Sequence, residues 1–253
     1  MDTVYLIIAF FFGGSLGSFL NVVIDRVPSR KSLVRPPSHC DSCGRTLGPL
    51  ELVPVFSYIL LKGRCRTCAA RVPPRVLQVE LACALGAVVT VYFYGVSGTA
   101  AFAYFSGLVL LALAVIDLEQ GVVPHEIVLP ATIAGLLAAV FFPPLGWKSA
   151  LLGGGVAFAV LLLPAVLRPG GMGWGDVKLA PFLGIVTGFP GVLVVLFTSF
   201  VLGGVGAVAV LLAGKGGRKT ALPFVPFLAI GTMVGIIWGR TLADWYLSLF
   251  QAR

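Results

Sequence analysis

Charge is what this sequence has least of. Only 11% of its 253 residues are Asp, Glu, Lys or Arg, against about 25% in a soluble globular domain, so it cannot cover a water-facing surface. Nor is there positive charge ahead of the first apolar run: Asp2 precedes Tyr5–Leu20, while Arg26, Arg30 and Lys31 follow it. A cleavable signal peptide needs the opposite order and a small-residue cleavage site, so the first apolar run is expected to stay as a helix. An aromatic-interleaved basic platform is missing too. The formal charge of +8 is spread over several loops, which excludes a nucleic-acid-binding reading.

What remains is apolar: 58% hydrophobic residues and a mean hydropathy of +1.01. A helical crossing of bilayer hydrocarbon takes about 20 apolar residues. After the first run, apolar segments fall near 76–95, 99–117, 126–143, 149–167, 177–189, 191–213 and 223–247. The expected fold is an all-α polytopic membrane protein with about eight transmembrane helices. Its organisation is a first helix over 1–24, a loop domain over 25–75 and a helical core over 76–253. With the N-terminus outside, the connections 25–75, 117–125, 168–176 and 214–222 lie in the cytosol. All of the 18 Lys and Arg except Lys148, Arg240 and Arg253 belong to these connections or their edges, as the positive-inside bias requires. The basic charge is therefore explained by topology.

Residues 25–75 alone are long and polar enough to fold outside the lipid, yet about 50 residues bury too little core unaided. The loop contains Cys40-Asp41-Ser42-Cys43 and Cys65-Arg66-Thr67-Cys68. Two CxxC knuckles bring four thiolates onto one tetrahedral metal, with zinc ahead of iron. Gly44 suits the tight turn, and Arg45, Arg64 and Arg66 favour ionised thiols. Disulfides or a redox pair are the rival reading, disfavoured in a reducing cytosol. With all four positions filled by Cys40, Cys43, Cys65 and Cys68, the site is structural. Cys83, in an apolar segment, reads as a small core residue.

Acidic groups at the edge of apolar spans are costly and therefore functional candidates. Asp117 closes the third span, and Asp176, in Gly171-Met172-Gly173-Trp174-Gly175-Asp176, opens the sixth. If they meet, the two carboxylates share a proton, one acting as general base and the other as general acid. Glycines around Asp176 admit a substrate backbone. The competing assignments are a helix cap, or an Asp176–Lys178 pair. Glu80 and Glu126 compete as functional acids.

These residues resemble the bacterial type IV prepilin peptidases, in five blocks in order along nearly the whole chain: Gly17–Pro28, the two CxxC pairs, Gly63–Arg66 with Gln78–Leu81, Gly171–Leu179 and Pro223–Gly231. The resemblance implies an intramembrane aspartyl protease of the GxGD kind with Asp117 and Asp176 catalytic. It also implies a zinc-binding cytosolic loop and an active site at the cytosolic face of the bacterial inner membrane. The substrates it implies are prepilins or pseudopilins, from type IV pilus or type II secretion assemblies, cut after a Gly. N-methylation of the new terminus from S-adenosylmethionine would follow. Two positions depart from the family pattern. Val123-Pro124-His125-Glu126 stands where a Leu-Pro-Asp-like element is usual, and Val225 replaces a Gly. No glycine-rich nucleotide fingerprint follows a predicted strand. Asn21, Arg26, Pro28 and Glu80 are the candidates for serving the cofactor or the substrate leader, with loop packing and helix capping as the alternative.

Two other function classes bear on the same features. A proton-coupled transporter needs carboxylates at the bilayer midplane and internal repeats, whereas these acids lie at span ends. A non-catalytic zinc docking module on a membrane anchor leaves the glycine-flanked Asp176 unexplained.

Overall fold

The computed structural model describes residues 3–141, 146–168, 171–213 and 222–251. Lys215, Arg218 and Lys219 of the expected fourth connection lie outside them. All regular structure among the described residues is helical: α1 Thr3–Arg26, a 3-10 turn Pro49–Leu52, α2 Phe56–Leu60, α3 Pro74–Tyr94, α4 Gly98–Gln120, α5 His125–Phe141, α6 Trp147–Leu167, α7 Trp174–Thr187, α8 Gly191–Leu212 and α9 Val225–Gln251. Six of them, α1, α3, α4, α6, α8 and α9, have the length and hydropathy to cross a bilayer. The other two apolar segments form shorter helices, α5 of 17 residues and α7 of 14. The chain separates into two compact units, Met1–Leu108 and Val109–Arg253, the boundary falling inside α4.

In the first unit α1 packs along α3. Lipid tails are as apolar as Leu, so helix pairing in a bilayer depends on close packing by small residues. A Cβ at Gly17 would stand 2.7 Å from Glu80 Cα, and one at Gly13 would stand 2.6 Å from the Cys83 carbonyl oxygen. Asn21 adds a polar tie, its Nδ2 donating to the Val76 carbonyl at 3.1 Å. Cys83, expected as a core residue, is 2% exposed.

The second unit is built around α7, which touches α5, α6, α8 and α9. From Asp176 to Thr187 its buried residues include Leu179, Phe182, Leu183 and Ile185. A helix wrapped by others need not span lipid thickness itself, which accounts for its 14 residues. Gly153 of α6 and Gly184 of α7 allow backbone-to-backbone contact, since a Cβ on either would collide with the other's carbonyl.

Candidate active site

Asp117 sits in the last turn of α4. That helix ends because Gly121 takes φ +66° and returns its N–H to the Asp117 carbonyl at 2.9 Å, a left-handed stop that glycine adopts without steric cost. The Asp117 side chain is turned inward, 8% exposed. Its Oδ2 accepts the backbone N–H of Val225, the first residue of α9, at 3.2 Å. The first N–H groups of a helix have no partner within it, so α9 directs a free donor and the positive end of its dipole at this carboxylate.

Asp176 occupies the first turn of α7, whose N-cap is Gly173. It too is 8% exposed, and the Gly173 backbone hydrogen-bonds its carboxylate. Each aspartate is thus held by backbone at a helix start. The charge of Asp117 is felt at Asp176, so within this unit the two acids from α4 and α7 form an interacting pair. The flanking glycines matter sterically. A Cβ at Gly173 would stand 2.9 Å from Asp176 Oδ2, and one at Gly175 would stand 2.6 Å from Val123 Cγ2.

The competing acids lie elsewhere. Glu126 is 3.6 Å from His125 Nε2, and both side chains are largely exposed. Lys178 is exposed, and no ion pair among the described residues joins it to Asp176. Glu80 is buried in the first unit, its Oε2 accepting the Val55 N–H at 2.7 Å. Asn21 gives both of its Nδ2 bonds to backbone carbonyls and leaves Oδ1 buried without a partner. Arg26 donates to the Ser32 carbonyl at 2.9 Å and lines an open cleft of about 270 Å³ with Ser18, Val22, Val34 and Pro37. Pro28 lies in the turn that follows α1.

The loop cysteines gather, with all four Sγ atoms within 4.8 Å of one another. Four thiolates around zinc at about 2.3 Å stand about 3.8 Å apart. The Cys40–Cys68 separation of 3.7 Å matches that edge, so the donor set fits a tetrahedral zinc. The knuckles are alike: Cys40 N–H bonds the Arg45 carbonyl and Cys65 N–H the Ala70 carbonyl, each at 2.9 Å. Gly44 and Ala69 hold the same place in each, at φ +69° and +57°. The Cys68 and Thr67 backbone N–H groups lower the Cys65 thiol to about 6. Cys68 has the Ala70 N–H in its favour, yet burial and the other thiols push it up to about 11. Arg45 hydrogen-bonds Cys65 and forms a 2.7 Å ion pair with Glu51.

The backbone donor of Val225 and the contact between Val123 and Gly175 escape sequence reasoning. Their one sequence signal is helix-start chemistry, Pro226 just inside α9 and Pro124 just before α5.

Two family profiles match the chain: Bacterial Peptidase A24 N-terminal domain over residues 11–94 and Type IV leader peptidase family over residues 104–208. Curated relatives named prepilin leader peptidase/N-methyltransferase align almost end to end. The Bacillus subtilis (strain 168) protein is 31% identical over 96% of this chain and 98% of its own length. The Pseudomonas putida protein is 34% identical over 94% and 93%, and the Aeromonas salmonicida protein 32% identical over 96% and 94%. No solved structure matches. Helices of membrane length and a gathered four-cysteine loop accompany similarity over more than nine-tenths of the chain, which belongs to the type IV leader peptidase family.

Proposed function

We propose that this chain cuts the leader peptides of prepilins or pseudopilins with Asp117 and Asp176, and then methylates the new N-terminus. The observation that carries the proteolytic step is the interacting pair of buried carboxyl groups, each braced by backbone at a helix start. The methylation step is supported by the names of the relatives.

The ionised member of the pair removes a proton from water, and the resulting hydroxide attacks the scissile carbonyl carbon. The protonated member gives its proton to the departing amide nitrogen as the C–N bond breaks. Products are the leader's carboxylate and the amine of the mature protein. One shared proton serves both steps because two interacting carboxylates do not both ionise cheaply. The Val225 N–H holds the Asp117 carboxylate in one orientation, bare Gly173 leaves the Asp176 carboxylate uncovered, and Gly175 makes room for Val123 beside it.

Cys40, Cys43, Cys65 and Cys68 would hold a structural zinc, with no vacant position for a reacting water. S-adenosylmethionine would supply the methyl group. Of Asn21, Arg26, Pro28 and Glu80, Arg26 is the one lining an open cleft, while Asn21 and Glu80 commit their polar groups to backbone. The positive-inside bias supports an outside N-terminus and an active site at the cytosolic face.

The test is Asp117→Asn and Asp176→Asn made separately, each given a prepilin-like peptide with a basic leader ending in Gly-Phe. Loss of cleavage in both, with fold and zinc retained, is the expected result. Near-normal cleavage by either variant removes that aspartate from the mechanism.

A further inference from the structure

Between the two CxxC pairs lies a run poor in charge: Pro49 to Leu61 reads Pro-Leu-Glu-Leu-Val-Pro-Val-Phe-Ser-Tyr-Ile-Leu-Leu. A small water-soluble loop would turn these side chains inward. Here several face out, Leu60 at 79% exposure and Ile59 at 59%, with Val53 and Phe56 partly open, while Val55 is buried. Such a contiguous apolar surface calls for an apolar neighbour.

Its contacts with α1 say where that neighbour lies. The Phe56 ring stacks on Phe11 at 5.7 Å and 14°, and meets Phe10 edge-on at 6.4 Å. Pro54 fills the space left by Gly14, 3.3 Å from where a Cβ there would sit. Gly14 and Phe11 precede Arg26 by 12 and 15 residues. At 1.5 Å per residue they lie about 18 and 22 Å from the end of α1 at which the loop leaves. The hydrocarbon core is about 30 Å thick, so Pro54 and Phe56 stand at a depth that belongs to lipid.

We propose that Val53–Leu61 is a re-entrant hairpin inserted beside α1, its open face covered by lipid acyl chains. Ile7, Ile8, Phe11 and Phe12 of α1 are about half exposed, and the hairpin's outer face continues that lipid-facing surface. Broken backbone is tolerated at membrane depth only where its polar groups are met inside the protein. The tip satisfies this. Val55, in the left-handed region at φ +66°, gives its N–H to Glu80 Oε2 at 2.7 Å. Ser57 N–H goes to the Val53 carbonyl at 3.0 Å and Ile59 N–H to the Val55 carbonyl at 3.1 Å. Pro54 has no N–H to satisfy. Glu80, a buried acid inside an apolar helix, thereby acquires a purpose as the acceptor that holds the tip. Charge marks the mouth, with the Arg45–Glu51 pair on one side and Lys62 on the other. The gathered thiols of Cys40, Cys43, Cys65 and Cys68 close the base.

The test uses the full-length zinc-loaded protein in liposomes with Leu60→Trp. Its emission is read as the difference from the parent, which carries 4 Trp. Phe11→Trp serves as the depth reference and Val34→Trp, at an 80%-exposed position, as the aqueous reference. Lipids brominated at mid-chain should quench the Leu60→Trp signal at least half as strongly as the Phe11→Trp signal, and iodide should leave it unchanged. Iodide quenching equal to that of Val34→Trp, without an effect of bromolipid, would overturn the insertion. Quenching by neither would also overturn the proposal, because the face would then be covered by protein. Ile59→Trp repeats the measurement if Leu60→Trp fails to fold, with zinc content reporting the fold. Glu80→Ala added to Leu60→Trp should move the signal toward iodide; no movement removes Glu80 from the anchoring role.

Discussion

Asp117 and Asp176 owe their positions to backbone groups rather than to side chains. Asp117 is held by the Val225 N–H at 3.2 Å. Val225 is the first residue of α9, a place where proline is well tolerated, so Val225→Pro deletes the donor with little cost to the helix. Loss of one preorganised oxyanion-hole donor lowers kcat by about 100-fold to 1,000-fold, which sets the upper bound for a donor that only orients a carboxylate. Val225→Pro should show a loss in kcat within that bound with KM little changed, while Val225→Ala, which keeps the N–H, should retain near-parental kcat in the same peptide assay. Gly175 is tested by rescue. A Cβ there would meet Val123 Cγ2 at 2.6 Å, so Gly175→Ala should cut cleavage and Gly175→Ala/Val123→Ala should recover most of it, because the collision is with that methyl. In the second cysteine knuckle, Ala69 adopts φ +57° where its counterpart is Gly44. Ala69→Gly should raise the melting temperature slightly, the relieved left-handed strain of about 1 kcal/mol being partly offset by the greater chain entropy of glycine.

Helix α1 meets α3 through residues without side chains, and that face sets the stability of the first unit. Gly17→Val places a branched side chain where even a Cβ would be 2.7 Å from Glu80 Cα. Overpacking of this kind costs about 1–3 kcal/mol, and because the blocked contact is backbone, the helices must separate. The expected outcome is a lower melting temperature in detergent together with faster proteolysis of the Val53–Leu61 segment, since Glu80 can no longer reach Val55. The first helix, the knuckle spacing and the ends of most spans were legible from residue patterns. Apolar runs and CxxC pairs act locally, so they appear in order along the chain. The inward place of α7 was not legible, because a buried helix and a lipid-facing one present the same apolar composition. The run Val53–Leu61 was hidden differently. It is too short for a span, and its membrane character depends on Phe11 and Gly14, far away in sequence.

For the molecule as a whole, the four gathered thiols and the two aspartates belong to different compact units, Met1–Leu108 and Val109–Arg253. Stripping zinc with a chelator should therefore expose the 27–73 region to protease while helices α6, α7 and α8 keep their protection, as read by limited proteolysis and mass spectrometry. Cleavage should decline as the loop opens rather than cease on chelation, which would distinguish a structural metal from a reacting one.

Sequence alone determined the solvent, the helical class, the four-thiol set and the two acids worth testing. Each follows from composition or from spacing within one stretch of chain. Only the tertiary structure decided that Asp117 receives its donor from α9, that Lys178 leaves Asp176 alone, that Glu80 serves a loop and that an apolar hairpin returns along α1. Those outcomes depend on glycine-sized gaps between helices and on unpaired N–H groups at helix starts, whose partners are chosen by proximity in space and leave no local pattern in the chain.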